Sequence, residues 1–383
     1  MSRSRYLVPA LLCGLLSSLV LLSCDNGSGL LARVQEEKKA QTSGPFTRAS
    51  VGDLVSFQNA VWARRGPTIL KSPDWAEVTT GLPADYACSS LAATGSVLYA
   101  AIQSPTAPGL YGSVDGTNWS LEKASSYIES VFTASGSVFY VEHHQGLSGT
   151  STDDTWDLFL WDGTSAAAVV TNNLSTTAES GSPVIGVVIA PSSPDFVVVR
   201  GSGVYRSTPA GGPFTLIAAS LPTNLSSLAA TATELYLGSA SGLVYAWNGG
   251  AWPASGQTLF AGAPVKALAV VPASATSSLL VAGIGGTAVG ATGYYELSLA
   301  LPDAPGSALL GSANGTLLAG GSATNYETTL RDLPMNAFLY VPDTTDATKG
   351  ILYAGSTASG NSTASGLHTD AWDGSAWGSW SAK

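Results

Sequence analysis

An Asp-Gly or Asn-Gly pair, with Trp three residues after the Gly, recurs along this chain. Asp115-Gly116 leads to Trp119, Asn248-Gly249 to Trp252 and Asp373-Gly374 to Trp377. A fourth copy, Asp162-Gly163 after Trp161, has Ala166 in the Trp position. Such pairs between short apolar runs are the strongest local signal for a two-residue hairpin turn, because a type I′ turn needs positive φ at both central residues. The copies are separated by near-multiples of roughly 42 residues, a period in the range of four-stranded sheet repeats. A chain of such units has few ways to fold, since a twisted sheet cannot cover its own faces and needs neighbours on both sides.

A second repeat supplies the other half of each unit. Ser89-Ser-Leu-Ala-Ala-Thr-Gly-Ser-Val-Leu-Tyr-Ala-Ala101, Glu129-Ser-Val-Phe-Thr-Ala-Ser-Gly-Ser-Val-Phe-Tyr-Val141 and Ser226-Ser-Leu-Ala-Ala-Thr-Ala-Thr-Glu-Leu-Tyr-Leu-Gly238 share one order of Ser, apolar run, turn and Leu/Phe-Tyr. Weaker copies begin near Leu54, Val184, Val265, Ser307 and Asn336, and Leu-Pro pairs such as Leu82-Pro83 and Leu333-Pro334 close several of them. An inner hairpin of this kind and an outer Asp-Gly hairpin make four strands in about 40 residues, the arithmetic of a propeller blade. The expectation is an all-β chain with a single β-propeller of seven or eight four-stranded blades over residues 51–383. The uneven last unit, between Pro302 and Pro334, keeps both counts open.

Charged residues are 11% of the chain, against about 25% in ordinary soluble proteins. The net charge is −10, so a nucleic-acid backbone would be repelled and nucleic acid is excluded as a partner. Residues 1–24 carry Arg3 and Arg5, an apolar run and Ser23-Cys24, the pattern of an export signal. Leu21-Leu22-Ser23-Cys24 resembles the bacterial lipobox, although Leu22 replaces the usual small residue. That resemblance implies lipidation of Cys24, anchorage to a membrane face and a place in the cell envelope. Residues 25–50, polar and centred on Glu36-Glu37-Lys38-Lys39, read as a flexible tether. Cys88 is then the only cysteine left in the mature body beyond Cys24, with no basic neighbour in sequence, and reads as a small buried hydrophobe.

Ser113-Val-Asp115-Gly116-Thr-Asn-Trp119 resembles the Asp-box of sialidase-like and BNR-repeat propellers, one residue short between Asp and Trp. The resemblance implies a structural role. Ser113 and Asp115 would accept backbone N–H groups, Gly116 would supply positive φ, and Trp119 would pack between strands. The arginine trio of the enzymatic members has no counterpart among Arg33, Arg48, Arg64, Arg65, Arg200, Arg206 and Arg331.

The densest chemistry lies at His143, His144, Asp153, Asp154 and Asp157, which read as a binding loop projecting from the longest unit. Neighbouring strand residues point to opposite faces, so the two histidines cannot easily share one metal. Gly283-Ile-Gly285-Gly286 lacks the following helix that a phosphate loop requires. The tryptophans read as packing between blades in preference to sugar-stacking platforms. No catalytic, cofactor or metal site is expected. The reading is a membrane-anchored, non-catalytic binding or scaffold module for a protein or glycan. The rival is a glycan-active enzyme, for which Glu142, Glu234, Glu296 and Glu327 are the acids to inspect.

Overall fold

The computed structural model describes residues 46, 49–146, 154–161, 163, 168–169, 182–201, 203–207, 214–217, 224–250, 256–258, 262–274, 277–286, 292–300, 317–319, 330, 333–357 and 365–383. The export signal with Cys24, the tether as far as residue 45, and Asp153, Asp162, Trp252, Ser307 and Glu327 lie outside them.

The described residues form seven four-stranded antiparallel sheets and no helix. Within every sheet the strands follow chain order from the innermost outward. The innermost strands are Val51–Phe57, Ala87–Ala93, Ile128–Ala134, Val184–Ile189, Leu225–Ala230, Val265–Ser274 and Met335–Pro342. Each touches the innermost strand before and after it, and the last touches the first, so the sheets close into a seven-bladed propeller. The eighth unit expected near Ser307 is not a blade. Blade six reaches from Val265 to a fourth strand at Leu317–Ala319, so its length imitates two repeats.

No blade mixes strands from the two ends of the chain. The ring therefore closes by side-chain packing between blades seven and one. Val51, Val61, Ala63, Leu70 and Trp75 of blade one meet Leu367, Leu339 and Tyr353 of blade seven. Phe46, within the stretch expected to be tether, is fully buried in this cluster with its ring edge-on to Trp75 at 5.0 Å. Asn336 Nδ2 also donates to Ser50 Oγ at 3.3 Å.

The turn chemistry differs from the sequence expectation. In the Asp-Gly and Asn-Gly pairs only the glycine has positive φ, at 71° for Gly116, 89° for Gly249 and 96° for Gly374. The side-chain carboxylate closes a longer loop instead. Asp115 Oδ1 accepts from Thr117 N and Asn118 N at 2.7 and 2.8 Å, and Asp373 Oδ1 from Ser375 N and Ala376 N at 2.8 and 2.7 Å. An Asp that captures two N–H groups stabilises this wider turn without visiting the left-handed region itself. Ser113 donates its hydroxyl to Asp115 at 3.0 Å, so its expected role as an acceptor of N–H groups is reversed. Two-residue turns with both residues at positive φ occur in inner hairpins, at Gln58-Asn59 and Ser135-Gly136.

Candidate functional site at the channel mouth

Every innermost strand carries a register break near its start. It falls between Val51 and Leu54, at Ser89, Glu129, Ile185, Ser226 and Lys266, and at Asn336. One extra residue at each position bends the strand and re-aims a side chain, the usual effect of a β-bulge. All seven breaks therefore surround the same end of the ring, here termed the bulge face.

Several bulge side chains reach across to the next blade. Ser89 Oγ donates to Glu129 O at 2.6 Å, and Ser226 Oγ to Val265 O at 2.8 Å. The residue beside each repeats the bridge: Ser90 Oγ accepts from Val131 N at 3.2 Å, and Ser227 Oγ donates to Val265 O at 2.7 Å. Asp53 Oδ2 accepts from Leu91 N at 3.1 Å. An innermost strand has an unpaired edge, and these contacts occupy part of it. The signal was present in sequence as the repeated Ser-Ser at Ser89-Ser90 and Ser226-Ser227.

The seven strands enclose a channel of about 550 Å³. Its wall mixes apolar residues such as Leu54, Phe132 and Phe338 with polar ones such as Ser56, Thr133 and Asn336, and among the described residues the charged ones lining it are Asp53 and Lys266. Asp53 is neutralised by Arg64, with Nε to Oδ2 at 2.8 Å. That pairing, with hydrogen bonding, raises the Arg64 guanidinium above its ordinary value against the opposing effect of burial. Lys266 is exposed. No carboxylate of the described residues lies within ion-pair distance of it.

The histidine cluster lies on the same face, where the second and third strands of blade three, Ser137–His144 and Thr155–Trp161, meet. Neighbouring positions on the second strand divide it into two groups, as strand alternation requires. His143 stacks on Trp156, with centroids 4.4 Å apart and planes 6° from parallel. Its Nδ1 is 3.3 Å from Glu129 Oε2 and its Nε2 3.4 Å from Asp154 Oδ2, while Trp156 Nε1 donates to Glu129 at 2.9 Å. His144 lies 4.4 Å from the exposed Tyr127 ring and within 3.6 and 3.8 Å of Glu142 and Asp157. Asp154 also accepts from Gly146 N at 2.9 Å, which ties the loop's two ends together. Among the described residues no three His, Cys, Asp or Glu side chains are grouped to hold a metal.

The Asp-box residues serve packing. Asp115 has its carboxyl held well below the ordinary range by the backbone and side-chain hydrogen bonds from Asn118 and the N–H of Thr117. A Cβ on Gly116 would fall 2.2 Å from the Trp62 ring, and Trp119 is buried with Trp62, Phe57 and Ile69 between blades one and two. Trp161 and Trp247 fill the seams before blades three and five, and Trp372 the seam before blade seven. Cys88 is 3% exposed in the same cluster as Trp119, and burial pushes its thiol far above the ordinary value.

Carboxylates are buried, but away from the channel wall. Glu296, on the third strand of blade six, is 3% exposed and pushed up to about 7 by burial. Asp370, on the third strand of blade seven, is 2% exposed and pushed up to about 6 by burial. Tyr294, Trp377 and Trp380 surround them, with Trp380 Nε1 donating to Tyr294 at 3.2 Å. Glu234 accepts a hydrogen bond from the Tyr236 hydroxyl, and its carboxyl is raised by burial. His368 is buried at 1% on the same strand as Asp370.

No protein-family model matches the chain, and no curated protein matches it in sequence. Its fold is similar to the extracellular domain of BT4673 from B. thetaiotaomicron, with 11% identity and a TM-score of 0.55 over 85% of this chain and 38% of that one. It is also similar to an ancestral GH74 enzyme, with 17% identity and a TM-score of 0.59 over 88% of this chain and 46% of that one. The chain thus spans less than half the length of either structure. At these identities the likeness is one of fold, and the fold is a seven-bladed β-propeller.

Proposed function

We propose that this protein is a non-catalytic binding module, held on a membrane face through Cys24, whose contact surface is the bulge face of the ring. The observation that carries this reading is the distribution of ionisable groups. The channel wall holds one neutralised Asp53 and one Lys266, whereas the acids with raised protonation, Glu234, Glu296 and Asp370, stand between blades. A glycosidase places two carboxyl groups across a substrate cleft, and among the described residues the channel wall carries one, Asp53. The bulge face does offer exposed Tyr127 and Lys266 and the partly buried His143 and His144, which stand at the end of the second strand of blade three and not in a loop.

Photo-crosslinking from the native envelope tests it. A benzophenone amino acid at Tyr127 or Lys266, on the bulge face, is expected to trap a partner. The same probe at Asn59 or Gly136, in turns at the other end of the innermost strands, is expected to trap none. The reverse pattern would refute the assignment. Cys24→Ser is expected to move the protein from the membrane to the soluble envelope fraction, and unchanged membrane association would refute the anchor.

A further inference from the structure

We propose that the Tyr127 rim of blade three receives a lysine- or arginine-bearing segment of a protein partner, the cation meeting the tyrosine ring and the carboxylates of Glu142 and Asp157. This rests on the bulge-face reading above and names the chemistry of its partner. Glu142 and Asp157 stand directly opposite each other on neighbouring strands. Like charges in that register destabilise a sheet. Neither lies within ion-pair distance of a lysine or arginine among the described residues. By contrast, Asp53 of blade one and Asp195 of blade four meet Arg64 and Arg206 at 2.8 and 2.7 Å. The sequence extends the imbalance, since from Ala124 to Val199 it has eight aspartates and glutamates and no lysine or arginine.

The side chain that approaches both acids is His144, with Nε2 3.6 Å from Glu142 and 3.8 Å from Asp157. Both separations exceed hydrogen-bond length. The carboxylate oxygens therefore keep their capacity to accept from an incoming ammonium or guanidinium. The Tyr127 ring lies 4.4 Å from the His144 ring and is still 51% exposed. An aromatic face attracts a cation electrostatically, and carboxylates beside it add to that attraction. His143 points to the opposite side of the strand, where Trp156, Glu129 and Asp154 surround it. The two acidic groups thus lie on opposite faces of the blade, within reach of an extended chain with two basic residues and not of a single small amine. Charge complementarity of this kind sets partner choice and encounter rate more than raw affinity.

The test follows fluorescence anisotropy of a labelled Gly-Ser peptide carrying two arginines, and of its counterpart with glutamines, on the full mature protein at low ionic strength. The arginine peptide is expected to bind about tenfold more tightly. Glu142→Gln with Asp157→Asn is expected to weaken it about tenfold and Tyr127→Leu about threefold, whereas Tyr127→Phe keeps the parent affinity. Asp343→Asn with Asp346→Asn removes the same charge from the turn after the innermost strand of blade seven, at the other end of the ring, and is expected to change binding less than about twofold. Equal losses from the two double variants would reduce the effect to bulk charge and overturn the site. Calcium alone, followed by calorimetry, is expected not to bind, and calcium binding that the Glu142 and Asp157 variant abolishes would overturn the polypeptide assignment. If that variant captures a partner through the Tyr127 photo-probe as well as the parent does, the bulge-face reading stands and the basic segment is refuted.

Discussion

The seam between blades one and two and the seam between blades six and seven are both capped by an Asp-Gly turn and its following Trp, yet they differ in that the second encloses the buried carboxyl groups of Glu296 and Asp370. Around Trp119 the neighbours are Phe57, Trp62, Ile69, Val78, Leu98 and Ile102, with the Lys71 ammonium 5.0 Å over the Trp62 ring. Around Trp377, an equally apolar set that includes Leu279, Val281 and Met335 lies beside two carboxyl groups, Glu296 and Asp370. One turn motif therefore fixes where the Trp goes and says nothing about what it covers. The first seam draws chiefly on apolar burial, and its stability should vary little between pH 5 and pH 8. The second holds acids that are comfortable only when protonated.

The largest expected effect tests the apolar seam. Trp119→Ala should cost about 3–5 kcal/mol, measured by chemical denaturation, with the same loss at pH 5 and pH 8. A cost below about 1 kcal/mol would mean that the ring does not depend on this rivet.

The acid seam supplies the next prediction. Glu296 and Asp370 have folded-state values raised above their ordinary ones, so their contribution is fully present below the unfolded values near 4 and is lost as pH rises through about 6 and 7. Stability should fall by on the order of 2 kcal/mol between pH 4.5 and pH 8. Hydrogen exchange in Thr292–Ala300 and Leu367–Trp372 should rise ahead of exchange in Ala87–Ala93. Glu296→Gln should flatten that dependence, and an unchanged slope would contradict the assignment.

Smaller effects sharpen the comparison at the first seam and at the next one, between blades two and three. Gly116→Ala combines a φ of 71° with a Cβ 2.2 Å from the Trp62 ring, and should cost about 1–3 kcal/mol. Ser90→Ala removes the hydroxyl that bridges to Val131 N, and should cost about 1 kcal/mol. Both are read from thermal melts. Equal costs at the two sites would argue against the glycine contact.

Much of the architecture was legible because hairpin repeats announce themselves locally. The paired repeats placed strands correctly at Ser89, Glu129 and Ser226, and the recurrent Trp residues identified the seams. What could not be read were properties of the closed ring. An added stretch inside blade six imitates a repeat, since periodicity counts residues and does not know which strands pair. The Asp-Gly dipeptide signals a reversal, but its loop length depends on whether the carboxylate captures N–H groups, as Asp115 and Asp373 do. Glu296 was marked for inspection from its strand position, while its neighbour Asp370 lies far along the chain and only the packing of blade seven on blade six brings them together.

The separation of the contact face from the acids buried in a seam can be tested in one experiment. In the double variant Glu296→Gln, Asp370→Asn, photo-crosslink yield from a probe at Tyr127 is measured in the native envelope, with folding verified by melting temperature. If the acids serve only the seam, the yield matches that of the parent protein and the melting temperature at pH 8 rises. A folded double variant that no longer captures its partner would place those carboxyl groups in the protein's function and overturn the separation of seam from contact face.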